Sequence, residues 1–291
     1  MKKISSVLVG CTLALTCVCV ASAQDKPTSI PKVLQLQREF LKPGKAGSVH
    51  EKAEGAFVTA MTHAKWPTHY IGMTSLSGKS RALFLTQYDS FEAWEKDNAA
   101  VSKNAVLSAA LDHAFMADGE LLDSADQGVF VFSEEMSLRP HPDLSEFHFM
   151  EAELFHVRPG KDNQWREVVK MVKAAYEKGV PEAHWGFFQE VYGGDEGTYL
   201  LLSGKKTLAE IDRGFADDKK FVAAMGEEGM KKLDQLYGEC CEPSSQQLFA
   251  LSPKMSYVPE SWIKASPDFW GAKASAPAAK KAPAEDKKEK P

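Results

Sequence analysis

Residues 149–161 read FMEAELFHVRPGK, a strand-like run that ends in a Pro-Gly turn before a helical pattern. An earlier stretch, residues 34–45, reads LQLQREFLKPGK and follows the same course from strand to turn to helix. The two turn prolines, Pro43 and Pro159, lie 116 residues apart. Because Pro-Gly marks a turn wherever it separates two periodic segments, the repeated phrase indicates one structural unit used twice.

The sequence around each phrase predicts the same order of elements, β-α-β-β-α-β, which is a ferredoxin-like unit. Alternating and helical apolar spacings place the first set at residues 33–41, 49–64, 69–76, 81–88, 90–118 and 128–136. The second set falls at residues 147–157, 165–176, 184–192, 198–203, 208–237 and 246–257. A break in the last helix is expected near Gly226 or Gly229, and Ser90 is expected to cap the helix that follows it.

The phrases REFLKPGK and ELFHVRPGK resemble the opening of NIPSNAP-like members of the dimeric α+β barrel superfamily. The resemblance covers about residues 33–257. One ferredoxin-like unit leaves a sheet face bare, and two copies can bury those faces together. The resemblance therefore implies an α+β fold in which two tandem units pack sheet to sheet as an intramolecular dimeric α+β barrel.

The N-terminus carries the pattern of a signal peptide. Lys2 and Lys3 precede a mostly apolar run over residues 4–20, and residues 21–23 (ASA) form a small-residue cleavage site. Residues 8–11 (LVGC) resemble a lipoprotein box, which is the competing interpretation. We expect cleavage near Ala23 and a periplasmic or secreted protein.

Charge and cysteine content exclude several classes of protein. The 291-residue chain has a formal net charge of −5, which gives no electrostatic basis for binding nucleic acid. No run after the signal peptide is apolar enough to span a bilayer. Cys240 and Cys241 are the only cysteines beyond the signal peptide, and an adjacent pair favours two thiols or an intermolecular link over a strained vicinal disulfide.

The predicted organisation follows from these boundaries. In chain order it comprises a signal peptide (1–23), a leader (24–32), a first barrel repeat (33–137), a linker (138–146), a second repeat (147–258), a C-terminal extension (259–271) and a disordered Lys/Ala/Pro-rich tail (272–291).

Candidate site residues in the first repeat cluster near the second strand. His69 is a candidate catalytic base beside two ligand-binding candidates, Trp66 and Tyr70, and Arg38 on the first strand is a candidate anion anchor. The competing interpretation makes His69 a structural hydrogen-bonding residue and Arg38 part of an ion pair at the edge of the core.

The second repeat offers matching candidates. His184 and Trp185 correspond in order to His69 and Tyr70, and Glu153 lies two residues from Glu151 on one strand face, where mutual repulsion can raise a carboxyl pKa. Here the competing interpretation is again structural, with one carboxylate paired to a base. Divergence around the two histidines predicts that at most one repeat, the first, is active.

Cofactor and metal sites are not predicted. His50 and Glu54 share a helix face, and His148 and His156 are too far apart on one strand for a common metal. No zinc, Walker, Rossmann or Gly-x-Ser-x-Gly motif occurs. The superfamily includes monooxygenases and haem proteins of the chlorite dismutase kind, but the helices of the second repeat lack the axial histidine that haem would need.

The sequence thus predicts an exported protein that binds a small ligand or a partner through a duplicated barrel, as a pseudo-dimeric monomer or a homo-oligomer. The alternative is a cofactor-independent monooxygenase- or isomerase-like enzyme that acts on a small apolar substrate.

Deletion of residues 272–291 is expected to leave the melting temperature within about 1–2 °C, because a segment without an apolar side chain larger than alanine buries almost nothing. Differential scanning calorimetry of the full chain and of the truncated chain checks this. A larger drop would show that the tail docks on the barrel.

Overall fold

Eight antiparallel strands close into a barrel in the computed structural model, which describes residues 30–141 and 143–271. The strands are β1 (Val33–Leu41), β2 (Tyr70–Ser75), β3 (Arg81–Tyr88), β4 (Leu122–Phe132), β5 (Phe149–His156), β6 (Gly186–Tyr192), β7 (Thr198–Lys205) and β8 (Ser245–Leu251). The helices are α1 (Ser48–Ala64), α2 (Phe91–Lys103), α3 (Ala105–Gly119), α4 (Asp162–Gly179), α5 (Ala209–Met225), α6 (Glu227–Cys240), α7 (Glu260–Ala265) and α8 (Pro267–Trp270).

Each half of the chain supplies four neighbouring strands of this barrel. Around the barrel the order is β4-β1-β3-β2 from the first half and β8-β5-β7-β6 from the second. Two antiparallel seams, β2 with β8 and β4 with β6, join the halves. The mixed α+β class and the barrel expected from the sequence are therefore confirmed.

The repeated Pro-Gly phrase forms the same turn in both halves. Gly44 has φ of 76° and Gly160 has φ of 74°, the left-handed region that a type II turn requires after its proline. In the first turn the amide of Lys45 donates to the carbonyl of Lys42 at 3.0 Å. Both turns connect a barrel strand to the helix that packs over it.

The long helix predicted to end at residue 118 is two helices. Asn104 ends α2, and its side-chain oxygen accepts a hydrogen bond from the amide of Leu107 at 3.1 Å, which caps α3. The expected break at Gly226 and the expected cap at Ser90 are both present.

Strand β4 begins six residues earlier than the predicted strand at residues 128–136. Its opening residues, LDSADQ, are mostly exposed and include four polar side chains, so they show no alternating apolar pattern.

Successive residues of β1 face opposite sides of the barrel wall. Leu34 and Leu36 lie in the barrel core with Phe130 and Phe249. The odd-numbered residues of β1 point the other way, toward the helices. Glu39 is one of them, and it lies beneath α1.

The C-terminal extension closes one end of the barrel. Trp270 is buried in the barrel core, and its indole N–H donates to the carbonyl of Ser145 at 2.7 Å. Phe269 stacks on His148 with ring centroids 4.0 Å apart. The last helices therefore belong to the packed core.

Some predictions concern residues outside the described ranges, namely the signal peptide, most of the leader and the Lys/Ala/Pro-rich tail. Among residues 30–141 and 143–271, no helix combines the length and apolar character needed to cross a membrane.

Replacement of Trp270 by alanine is expected to lower the free energy of unfolding by about 3–5 kcal/mol, because it removes a large buried side chain and its hydrogen bond. Urea denaturation measures the change. Phe215→Ala, at a residue that is 70% exposed, is the control and is expected to change little; equal effects of the two substitutions would contradict the packing of the extension.

Candidate functional site

Four ionisable side chains meet in the first half, between β1, α1 and α3. They are Glu39, His50, Glu54 and Asp118, called here the acid–histidine cluster, and their side chains are only 1–4% exposed. Their nearest ligand-type atoms all lie within 4.8 Å of one another. Such burial is rare for charged groups unless they are paired or bind a metal.

Three elements bring the cluster together. Glu39 lies on the helix-facing side of β1, and the (i, i+4) spacing of His50 and Glu54 puts both on one face of α1. Asp118 continues the buried stripe of α3 one turn beyond Ala114. An apolar contact between α1 and α3, formed by Phe57, Ala60, Leu107, Leu111 and Ala114, holds the two helices together.

A single nitrogen faces all three carboxylates. His50 Nε2 lies 3.0 Å from Glu39 Oε2 and 3.2 Å from Asp118 Oδ1. Glu54 Oε1 lies 3.7 Å from the same nitrogen. One ring N–H cannot satisfy three acceptors, and Glu54 Oε1 and Asp118 Oδ1 make no hydrogen bond within the described residues.

A neighbouring side chain of β1 also supports the cluster. The amide of Gln37 donates to Glu39 Oε1. His50 Nδ1 makes no hydrogen bond within the described residues, so the ring is oriented through its Nε2 side.

Burial and mutual repulsion shift the protonation of the cluster. Burial, followed by the negative charges of Glu39 and Asp118, raises the pKa of Glu54 to about 9. Burial lowers the pKa of His50, but the close carboxylates of Asp118 and Glu39 outweigh it and raise this pKa to about 9. Without another cation, the cluster therefore retains protons at neutral pH.

The arrangement matches the ligand set of a divalent metal. Metal–ligand bonds of about 2.0–2.2 Å place ligand atoms roughly 3–4 Å apart, close to the separations around His50 Nε2. Carboxylate oxygens with one imidazole suit manganese, iron and zinc. All separations in the cluster lie within 4.8 Å, so the widest must shorten by about 1–2 Å for a common ion.

The second half fills the corresponding positions with apolar side chains. Residues 115 or 116 positions later than the four cluster residues are Phe155, Trp165, Val169 and Leu233. All four are buried in one apolar cluster, where the rings of Phe155 and Trp165 lie 5.1 Å apart. The fold therefore does not need ionisable groups at this place.

Tyr70, a predicted ligand-binding residue, packs against the apolar contact between α1 and α3. Its hydroxyl is buried and makes no hydrogen bond within the described residues. Burial, then the charges of Glu54 and Glu39, raises the pKa of Tyr70 well above its ordinary value. Of the predicted site residues, Tyr70 is the one whose pKa responds to the carboxylates of the cluster.

The other first-half candidates have separate partners. Trp66 donates its indole N–H to Asp97 Oδ1 at 2.9 Å. His69 is half-buried and stacks on Tyr257 with centroids 4.8 Å apart, and burial lowers its pKa. Arg38 pairs with the carboxylate of Asp126. Arg38 and His69 therefore contact different partners.

In the second half, the candidate His184 has a structural environment. Both of its ring nitrogens lie 3.0 Å from carbonyl oxygens, those of Glu182 and Gly204. With His141 it lines a cavity of about 40 Å³ whose lining contains no arginine.

The remaining candidates, Trp185 and Glu153, are also held by protein groups. Trp185 donates its indole N–H to the carbonyl of Met136 at 3.0 Å. Glu153 accepts a hydrogen bond from Ser244 at 2.7 Å, and burial raises its pKa.

Sequence reasoning identified the residue pair His50 and Glu54 but did not assign it a metal, and it did not single out Asp118. The available signal was the combination of an (i, i+4) His/Glu pair on the buried face of α1 with Glu39 on the helix-facing side of β1. Asp118 becomes visible only once α3 is placed against α1.

Comparison with known proteins finds no matching family model and no matching curated protein. Among solved structures, an anthrone oxidase-like protein aligns with a TM-score of 0.48 and 13% identity over 78% of this chain and 92% of its own. Chlorite dismutase from Candidatus Nitrospira defluvii in complex with imidazole aligns with a TM-score of 0.43 and 9% identity over 81% of this chain and 96% of its own. Likeness at this level carries no argument about activity.

Metal-free protein is expected to lose stability as the pH rises toward 9. The folded-state pKa of His50 is raised from 6.5 to about 9 and that of Glu54 from 4.5 to about 9, so both groups stabilise the fold below their unfolded pKa and lose that contribution as the pH passes the folded value. In Glu54→Gln, the free energy of unfolding is expected to fall between low and high pH by about 1–3 kcal/mol less than in the wild type.

The measurement is urea denaturation in chelator between pH 5 and about 9, the range these linked titrations span. Glu92→Gln, at an exposed carboxylate of α2, is the control and is expected to follow the wild-type curve. Indistinguishable pH profiles for all three proteins would show that Glu54 does not hold a proton in the folded state.

Proposed function

We propose that the protein binds one divalent metal ion through the acid–histidine cluster in its first half. The observation that carries this proposal is the convergence of three buried carboxylate oxygens on one imidazole nitrogen, two of which make no hydrogen bond to any residue that the structure describes. A cation shared by the four side chains satisfies all of these atoms together, whereas a proton on the ring satisfies one.

Charge balance supports a divalent ion. Three ionised carboxylates in a closed environment carry a charge that is expensive to bury without compensation. The protonated cluster reaches a net charge of about −1 with a proton on His50 and another on Glu54. A divalent ion that displaces both protons leaves the same net charge, so metal and protons are interchangeable electrostatically.

The contrast between the halves supports a functional reason for the cluster. Phe155, Trp165, Val169 and Leu233 show that an apolar filling is compatible with this architecture. Replacing a buried charged group by well-packed apolar side chains is often neutral or stabilising, so a purely structural role gives no reason to keep the acids. This agrees with the prediction that the first half is the active one.

Several finer predictions are part of the same proposal. We infer that the two halves are copies of one ferredoxin-like unit, which the shared turn at Gly44 and Gly160 supports, and that the NIPSNAP-like chain is exported after cleavage near Ala23. A homo-oligomer and a small-molecule ligand also remain predictions.

The alternative function, a cofactor-independent monooxygenase- or isomerase-like enzyme using His69 or His184, has weaker support. His184 faces two backbone carbonyls, His69 stacks on Tyr257, and Arg38 pairs with Asp126. A metal centre in the first half supplies chemistry that these histidines do not.

Purified protein is expected to bind one manganese, iron or zinc ion per chain, because the four ligand atoms converge on a single point. Asp118→Asn and Glu39→Gln are expected to weaken binding at least tenfold to a hundredfold, since each removes a charged ligand. Elemental analysis of the protein and competition with a chromophoric chelator measure stoichiometry and affinity.

Glu153→Gln is the matched control, because it neutralises a half-buried carboxylate of the second half that is already hydrogen-bonded to Ser244. It is expected to leave affinity unchanged. Binding is also expected to weaken on acidification, since His50 and the carboxylates must lose protons to ligate. Equal affinity in all of these variants would place any bound metal elsewhere and would refute the proposal.

A further inference from the structure

Two neighbouring thiols meet where α6 ends. Cys240 is the last residue of α6 and Cys241 follows it, and their Sγ atoms lie 3.5 Å apart. Both cysteines are free and buried, with exposures of 0% and 4%. The carbonyl of Cys240 accepts a hydrogen bond from the amide of Arg158 at 2.8 Å, and the amide of Cys241 donates to the carbonyl of Tyr237 at 2.9 Å. The fold therefore holds the two sulfur atoms close together without a bond between them.

The first half has two leucines at the equivalent place. Leu121 and Leu122 lie 119 positions before the two cysteines. The amide of Lys42 donates to the carbonyl of Leu121 at 3.0 Å, which is the counterpart of the hydrogen bond that Cys240 accepts. Aliphatic side chains therefore suit this junction of helix and strand, and packing alone gives no reason for two thiols.

The pair offers two sulfur atoms and no further metal ligand. Among the residues that the structure describes, the acid–histidine cluster is the only group of three or more ligand-type side chains. No histidine, carboxylate or third thiol of the described chain therefore completes a zinc site at these cysteines. The 3.5 Å separation fits a centre that binds sulfur at about 2.3 Å with an angle of about 100° between its two sulfurs.

Charge also restricts what the pair can bind. Burial raises the pKa of the Cys241 thiol above its ordinary value, so a complex that keeps two thiolates here places negative charge in a buried site. Arg158 lies beside the pair, but its guanidinium donates to Glu242 Oε1 at 2.9 Å and to the carbonyl of Gly238 at 2.8 Å. A neutral ligand that forms neutral bonds to sulfur avoids the cost of burying charge.

We propose that Cys240 and Cys241 form a binding site for trivalent arsenic, taken up as uncharged arsenous acid. Each thiol gives its proton to one arsenic-bound hydroxyl, which leaves as water, so two sulfur–arsenic bonds replace two oxygen–arsenic bonds. Arsenic keeps its third hydroxyl and remains trivalent, and no electron is transferred. Two protein sulfurs are therefore sufficient, and the reactants and the product are all uncharged.

The ligand reaches the pair through the end of α6. The residues on either side, Glu239 and Glu242, are exposed, and a helix end opens locally at lower cost than the core. Arsenous acid is small and uncharged at neutral pH, so its entry desolvates no ion. The inference is independent of the acid–histidine cluster and of the metal proposed there.

The experiment uses the full chain with Cys11→Ser, Cys17→Ser and Cys19→Ser, so that Cys240 and Cys241 are its only thiols. This parent chain is reduced with a phosphine and mixed with arsenite at neutral pH. Intact-mass spectrometry is expected to find one arsenic per chain. The melting temperature is expected to rise with arsenite concentration, because a ligand that binds the folded state more tightly than the unfolded state stabilises the fold.

Cys240→Ala and Cys241→Ala each leave one thiol. Each is expected to bind arsenite about a hundredfold more weakly than the parent chain, since the second sulfur–arsenic bond of the pair forms within one molecule. A chain with alanine at both positions gives the baseline and is expected to retain no arsenic. If an alanine variant does not fold, the mass and the melting curve of the parent chain still decide the question.

Equal arsenite affinity in the parent chain and in a single-thiol variant would overturn the inference, and so would a parent chain that takes up no arsenic. A melting temperature that falls as arsenite is added would overturn it as well. Arsenic would then bind the unfolded chain in preference to the folded one, and the pair that the fold holds together would not be a site.

Discussion

The closure of the barrel along two seams is the constraint on which the remaining structure depends. β2 pairs with β8 and β4 pairs with β6, so neither half leaves a free sheet edge at these strands. Closure fixes the inner face, which is filled by apolar side chains and by Trp270. Because closure fixes the inner face, the two halves can differ in the side chains of the outer face, which lies beneath the helices of each half. The acid–histidine cluster and its apolar counterpart occupy this outer layer.

The difference between the halves is a difference in polarity within a common geometry. In the second half, aromatic and aliphatic side chains pack beneath α4 and α6, and stabilise the layer by removing apolar surface from water. In the first half, ionisable side chains occupy the corresponding layer, and stability there depends on which cation, a proton or a metal, accompanies them. The second half therefore contributes mainly to packing, and under the proposed function the first half carries the chemistry.

Much of the fold was accessible from sequence because it is encoded locally. The Pro-Gly turns, the alternation of β1 and the break at Gly226 each follow from a few adjacent residues. The capping role of Asn104 and the polar start of β4 were missed because neither interrupts or continues an apolar pattern. For the site, the predicted candidate on β1 is Arg38, which lies on the same side of the strand as Leu34 and Leu36, whereas Glu39 faces α1 and contacts His50. Asp118 was inaccessible, because its proximity to His50 arises from the packing of α1 against α3 and from no sequence spacing.

The seam between β2 and β8 also affects the stage of folding at which the proposed ion would bind. It joins residues near 74 to residues near 250. Pairings between such distant segments form slowly, because the entropic cost of closing a long loop must be met before the contacts stabilise it. The acid–histidine cluster, in contrast, is assembled from residues 39–118 of one half. Its side chains can therefore gather while the barrel is still open to solvent, and under the proposed function an ion would be captured during folding. Once α3 is packed on α1, exchange of that ion would require local opening of these two helices, and the lifetime of the bound state would depend on helix packing as well as on affinity.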